Sequence, residues 1–265
     1  MLGPRLFLHA VRAVIDELPA ALRLSLLPYL GVVAAVGWLE ASYGDVTALA
    51  PAGDGPPSVP PGLLLGTLAL IAANLLMVSW VAVGWHRYRL LDEAPRGWVP
   101  RLEAGRVLRY LGYSILVALA VGLIALGAGT VAAVLLLPLF GPAAQIVVVG
   151  VMLMVALVLF YRLGLILPAV ATGRSMGFGE AMRASAGHSR TAVMLSLLTL
   201  ALAAALEVPP LLDAAAAEDG ASGGMGPIAF AYRSVVQWIA LMVGVSTLTA
   251  FYSHVTGSRP GVEGT

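Results

Sequence analysis

The stretch 109–138 reads RYLGYSILVALAVGLIALGAGTVAAVLLLP, and no charged residue interrupts it from Tyr110 to Leu137. A helix needs about 20 predominantly apolar residues to cross the ~30 Å hydrocarbon core of a bilayer. This run exceeds that length and is apolar on every side. It has neither the polar stripe of a surface helix nor the alternation of a barrel strand. Backbone polar groups in hydrocarbon must pair within their own segment, so the run predicts a spanning helix at about 110–134. Five further stretches qualify, at about 22–42, 63–85, 143–161, 191–207 and 232–252. The stretch 191–207 is the shortest; it is Ala-rich and is expected to stop at Glu207, ahead of Pro209-Pro210.

Composition agrees. Of 265 residues, 60% are apolar and 11% charged, with a mean hydropathy of +0.93, where soluble domains carry about 25% charge. A soluble globular domain and a disordered tail are excluded. A net charge of +1 offers no field for nucleic acid. No cysteine is present, which removes disulfides and thiolate-bound metals. All 15 basic residues are arginine, and with so much Ala, Gly, Leu and Val this reads as a GC-rich bacterial genome. The first apolar run begins near Leu22, is too long for a signal peptide and lacks a small-x-small exit, so it is expected to remain as a span.

Arginine placement predicts orientation. Arg5, Arg12 and Arg23 accompany the first span; Arg87, Arg89, Arg96, Arg101, Arg106 and Arg109 fill the second connection; Arg162, Arg174, Arg183 and Arg190 fill the fourth; Arg259 is in the tail. Fourteen of the 15 therefore share one side, and only Arg233 falls on the other. The positive-inside rule then places both termini in the cytoplasm. The opposite connections hold Asp45, Asp54, Asp213, Glu218 and Asp219. Pro51–Gly62 and Gly220–Pro227 are Pro/Gly- and Gly/Ser-rich and too poor in apolar residues to pack as a domain, while Pro138–Pro142 reads as a tight turn. The expectation is an all-α, polytopic membrane bundle of six transmembrane helices, N-in/C-in. It forms one integral domain over 1–265, with an interfacial helix at 1–20 and a cytoplasmic tail at 253–265.

Arg5, His9, Arg12 and Asp16 form a polar stripe, broken by Leu8, opposite Leu6/Phe7, Ala10/Val11, Val14/Ile15 and Leu18, the pattern of a helix lying in the cytoplasmic interface. A related unit recurs 171 residues later. Ala10-Val11-Arg12-Ala13 aligns with Ala181-Met182-Arg183-Ala184, Ala21 with Ala192, and Leu24-Ser25-Leu26-Leu27 with Leu195-Ser196-Leu197-Leu198, eight identities in all. A weaker copy begins at Ala104-Gly105-Arg106. The pattern is that of three helical hairpins, each entered through a basic cytoplasmic helix.

Residues able to carry chemistry are few. Asn74 is the most central amide, with Gln145 and Gln237 nearer the span ends and Ser246, Thr247 and Thr249 in the last span; interhelical packing glue is the expected role. No acid sits at a span centre, which argues against proton-coupled transport. Arg162 is placed at the phosphate level as a structural anchor, with an intraprotein ion pair or a lipid-headgroup site as the alternative, and Leu163–Val170 is expected to bend along the interface. Trp85-His86-Arg87-Tyr88-Arg89 reads as an interfacial belt, with Arg87 and Arg89 as headgroup or structural candidates. His9, His86, His188 and His254 all map to the arginine side without a metal-ligand spacing, and no metal or cofactor is expected. Ser222 in Gly220-Ala221-Ser222-Gly223-Gly224 fits a serine-hydrolase pattern but lies in a Gly-rich outer loop, about 30 Å by helix rise from the level of His254. Ser114, Ala118, Gly122, Ala125 and Gly129 form a small-residue face suited to helix packing.

Two segments carry a resemblance. Arg162-Leu-Gly-Leu-Ile-Leu-Pro168-Ala169-Val170, followed by Gly179-Glu180-Ala181-Met182-Arg183-Ala184-Ser185 and Gly187, resembles a pattern in bacterial six-span membrane proteins of unknown function. These include the YciC-like proteins and the membrane domain of some glycerophosphodiester phosphodiesterases. The N-terminal helix and Trp85–Asp92 look similar to membrane proteins of alphaproteobacteria. The resemblance covers about 25 residues well and implies architecture, not activity, because the catalytic residues of the phosphodiesterases lie in a separate soluble domain. It implies a structural role for Arg162, Pro168 and Arg183. Ser189-Arg190 departs from it, standing where the pattern has an aromatic–basic pair.

The functional expectation is a non-enzymatic, multi-pass protein of the bacterial inner membrane. It would serve as a scaffold, assembly factor or accessory subunit, with membrane lipids and a protein partner or a second copy as its contacts. The alternatives are a transporter or lipid-handling protein, recognised by a cavity gathering Asn74 and Arg162, and an intramembrane hydrolase resting on Ser222.

Overall fold

The computed structural model describes residues 2–43, 60–95, 97–98, 102–216 and 227–257, with backbone alone for 207–216 and 227. The described residues form helices and no strand: α1 (Leu2–Asp16), α2 (Leu18–Tyr43), α3 (Pro61–Leu91), α4 (Ala104–Phe140), α5 (Ala144–Leu163), α6 (Ile166–Ala171), α7 (Phe178–Ser185), α8 (Ser189–Ala216) and α9 (Pro227–Thr256). Five helical stretches are long and apolar enough to cross a bilayer, and one of them, Ala104–Ala171, has 68 residues. As a rod it would measure about 100 Å. Instead it folds back: a 3₁₀ turn at Gly141–Ala143 separates α4 from α5, and Gly141 takes a left-handed φ of +61° that a side chain would strain. Gly129 of α4 lies against Met152 of α5, almost equally far on the other side of that turn. The two helices are therefore antiparallel, and the chain is a multi-pass membrane protein.

The expected stretches fall within α2, α3, α4, α8 and α9, which overrun them, and 143–161 matches α5 but for its first residue, which belongs to the preceding turn. The largest overrun corrects an expectation. α8 does not stop at Glu207 but continues through Pro209-Pro210 to Ala216.

At the arginine-poor end, α2 and α3 meet closely, and a side chain at Gly66 would come within 2.7 Å of Leu39. Tyr232 of α9 donates its hydroxyl to the Leu206 carbonyl of α8 at 3.5 Å. Two donors tie α2 to α9: the Tyr29 hydroxyl to the Ser234 carbonyl at 2.6 Å, and the Trp238 indole to Ser25 Oγ at 2.7 Å.

The core lies at the arginine-rich end. All six residues of α6 are buried, and they pack against α3, α4 and α9. This overturns the expectation that Leu163–Val170 bends along the interface. The physical reason is composition: Leu163–Ala171 has no polar side chain to leave in water, so nothing holds it at an interface. Gly164 makes the inward turn feasible, since a side chain there would crowd Leu248 and the Phe160 carbonyl. Tyr161, Leu165, Ile166, Leu195 and Phe251 complete the same cluster. Towards the other end the hairpins present bare surfaces: Leu68, Ile71 and Leu75 of α3 and Leu119, Leu123 and Leu126 of α4 are exposed.

α1 follows its stripe in part: Arg5, His9, Arg12 and Asp16 are exposed and Ala10 and Val14 are buried, but Ile15 and Leu18 of the apolar face are exposed. Its other face docks on α8 and α9, where Gly3 lies against Met194 and Ser246 donates to the Ala10 carbonyl at 3.0 Å. The repeat has a structural counterpart. Ala10 and Ala181, Ala21 and Ala192, Leu24 and Leu195, and Ser25 and Ser196 are all buried. Ser25 bonds the Ala21 carbonyl at 2.7 Å, and Ser196 bonds the Ala192 carbonyl at 2.9 Å. The aligned residues thus do the same local work in both copies.

Ile166 is fully buried whereas Leu123 is 74% exposed. Ile166→Ala is expected to destabilise the protein by about 2–5 kcal/mol, and Leu123→Ala by less than about 0.5 kcal/mol, measured by reversible unfolding in mixed micelles. Equal losses would contradict a core centred on α6.

Candidate functional site

The most buried polar constellation joins three helices. His86 of α3 is 0% exposed. Its Nδ1 lies 2.8 Å from Thr249 Oγ1 of α9, and its Nε2 lies 3.2 Å from the Tyr110 hydroxyl of α4. Thr249 commits its own proton to the Val245 carbonyl at 2.8 Å. It is therefore an acceptor towards His86, which assigns the hydrogen to Nδ1 and leaves Nε2 to accept from Tyr110. The chain runs in one direction, from the Tyr110 O–H through a neutral imidazole to Thr249 and the Val245 carbonyl. Every polar atom of the imidazole is used, so the group serves as an interhelical tie rather than a vacant ligand.

This corrects the belt reading of Trp85-His86-Arg87-Tyr88-Arg89. Trp85 and His86 point into the core, and only Arg87, Tyr88 and Arg89 lie partly at the surface. A signal was present: Met77, Val81 and Trp85 recur at four-residue spacing and continue one buried face of α3.

The candidate arginines bind the chain to itself. Arg87 pairs with Glu93 and, at 3.8 Å, with Glu103, and it donates to the Ala171 carbonyl at 3.4 Å. Arg89 pairs with Glu17 between α1 and α2. Arg162 donates from Nε to Ser185 Oγ at 3.2 Å and from Nη2 to the Met182 carbonyl at 3.4 Å, which ties α5 to α7. Arg183 donates to the Gly179 carbonyl of its own helix at 3.3 Å. Pro168 is buried in α6, and its carbonyl accepts from the Thr172 amide at 3.0 Å. Partly exposed ion pairs of this kind contribute about 0–1 kcal/mol each, so they set geometry more than stability.

Two cavities open at this end. One of about 470 Å³ lies between α1, α3 and α9 and is lined by His9, Arg89, Ser246, Thr249 and His254 among others. The other, about 520 Å³, is lined by Glu103, Arg106, Arg109 and Gly173 among others. Neither is lined by Asn74 or Arg162. The rings of His188 and His254 stand 5.2 Å apart, but among the described residues no three metal-ligating side chains gather. Ser222 lies outside the described residues.

Asn74 departs from the packing-glue expectation. It is exposed and makes no hydrogen bond among the described residues. The small-residue face of α4 divides: Ala125 and Gly129 are buried, Ser114 is half-buried, and Ala118 and Gly122 are exposed, with open space over Gly122. Comparison with protein-family models, curated proteins and solved structures finds no match to this chain.

The imidazole tie is open to a double-mutant cycle. His86→Ala and Thr249→Val are each expected to destabilise the protein, and the pair is expected to show a coupling of about 1 kcal/mol, read from unfolding midpoints in micelles. Additive losses would show that the 2.8 Å contact contributes nothing.

Proposed function

We propose that this protein is a non-catalytic membrane scaffold or accessory subunit, working by association within the bilayer of a bacterial cytoplasmic membrane. In this reading it crosses six times, with α2, α3, α4, α5, α8 and α9 as the spans and both termini in the cytoplasm. The arginine asymmetry supports the orientation, because the ends of α3 and α5 and the starts of α2, α4 and α8 carry arginines. The likeness to YciC-like proteins is kept as a proposal about architecture.

The observation that carries the reading is one-sided packing. The bundle is closed by α6 at its arginine-rich end, while the middle of α3 and one face of α4 stay uncovered within the chain. A single amide, Asn74, lies in that uncovered part without a hydrogen-bond partner among the described residues. A carrier would be expected to gather its polar groups around a central path. Here the deep polar groups at the closed end are spent on tying helices together, and Asn74 and Arg162 line neither cavity.

Because the chain has no cysteine, single introduced cysteines report topology directly. Ala52→Cys and Ala221→Cys are expected to react with an impermeant thiol reagent in intact cells, and Gly97→Cys and Gly177→Cys only after permeabilisation. The reverse pattern would overturn the orientation. For the role itself, extraction with native lipid in polymer discs is expected to yield an assembly larger than one 27.3 kDa chain. A solitary chain at native abundance would overturn it.

A further inference from the structure

The cavity beneath α1 differs in chemistry from the one beside α4. Its volume, about 470 Å³, falls within the roughly 300–1,000 Å³ of small-molecule sites. His9 of α1, Arg89 of α3 and His254 of α9 all line it, and no carboxylate does among the described residues. The cavity beside α4 instead has Glu103 in its wall, paired with Arg106. Arg89 and His254 stand in the last turns of α3 and α9, where helix carbonyl ends attract cations. His9 belongs to neither end. It comes from the polar stripe of a third helix, and it reaches this cavity because α1 docks on α9.

The three side chains have donors to spare. Arg89 engages Glu17 through Nη1, and its Nε and Nη2 have no partner among the described residues. The ring nitrogens of His9 and His254 likewise make no hydrogen bond to a described residue. Two hydroxyls of the wall have already spent their protons: Ser246 donates to the Ala10 carbonyl at 3.0 Å and Thr249 to the Val245 carbonyl at 2.8 Å. What remains is a guanidinium edge and two imidazoles, a set suited to a phosphate. Leu6, Leu90 and Ala250 give the same cavity an apolar wall. A ligand matched to both walls has an anionic head and an apolar body. α3 and α9 end here beside the arginine-rich connections, and α1 is amphipathic, which sets the cavity at the depth of lipid headgroups.

We propose that the cavity beneath α1 binds a phosphate ester, with its phosphate held by Arg89, His9 and His254 and its apolar body against Leu6, Leu90 and Ala250. An anionic phospholipid of the adjoining leaflet is the source that the depth favours. The site does not depend on the scaffold reading and requires only that the arginine-rich end lies at the bilayer surface.

The experiment places the full chain in phosphatidylcholine discs doped with phosphatidylglycerol and counts retained lipid by native mass spectrometry. Selective retention of phosphatidylglycerol is expected. Arg89→Gln is expected to weaken it about tenfold, and His9→Gln and His254→Gln about threefold each. Arg89→Lys keeps the charge without the planar fork and is expected to fall between wild type and Arg89→Gln. Ala250→Phe leaves every charge in place but fills the cavity, and is expected to lose the lipid. Arg12→Gln, on the exposed stripe of α1 outside the cavity wall, is expected to change nothing. Unfolding midpoints in plain phosphatidylcholine discs verify that each variant is folded. Inorganic phosphate separates the two sources. Phosphatidylglycerol that inorganic phosphate does not displace supports a lipid ligand. Arg89-dependent binding of inorganic phosphate, with no phosphatidylglycerol retained, supports a soluble phosphate ester at the same site. Equal losses from Arg12→Gln and Arg89→Gln would mark diffuse attraction to a basic surface and overturn the site, as would a wild-type chain that holds neither probe. A solitary chain with lipid bound here would overturn the scaffold reading and leave the site standing.

Discussion

A backbone inside hydrocarbon has no solvent to pair with, and that constraint governs the whole molecule. It makes helix the sole option for each long apolar run. The ~30 Å thickness of the hydrocarbon layer, in turn, matches a chain that turns at a left-handed glycine between α4 and α5 rather than continuing as a single rod. Hydrocarbon also removes the hydrophobic effect as a force between helices, because acyl chains are as apolar as leucine. What brings helices together must then be close fit, a few hydrogen bonds and the ends that reach water.

Those three contributions gather at one end. The arginine-bearing connections are in water or headgroups, where the ordinary hydrophobic drive returns, and there the short apolar helix α6 is swallowed whole by α3, α4 and α9. The imidazole of His86 spans the same level, with both nitrogens used by side chains from neighbouring helices. Serines 25 and 196 fold their hydroxyls back onto their own helices, which lets an aligned alanine and leucine pack tightly in both copies of the repeat. Away from this end the hairpins keep close internal contacts, such as Leu39 against Gly66 and Met152 against Gly129, but leave wide apolar faces open. A protein that is finished at one face and unfinished in its middle is well suited to holding or joining other membrane helices.

Much of this was legible in the residues alone. Length, apolarity and the absence of charge identify the helices, because in a bilayer those local properties leave the backbone no alternative. The stripe of α1 and the 171-residue offset are equally local, and both correspond to observed burial. The belt reading of Trp85-His86 and the interfacial reading of Leu163–Val170 failed for one reason. Depth along a helix can be counted, but whether a residue at the boundary turns outward to headgroups or inward to a core depends on what stands beside it.

The amino-acid sequence by itself therefore determined that the chain is helical, that it crosses a membrane repeatedly and where its basic residues cluster, since each follows from properties of single segments. Only the tertiary structure decided that α6 is the centre of the core, that Tyr110, His86 and Thr249 form one directed chain of hydrogen bonds, and that Asn74 is exposed rather than packed. These are relations between residues far apart along the chain. The physical reason is that a neighbour's presence or absence is a property of packed helices and is written in no single one of them.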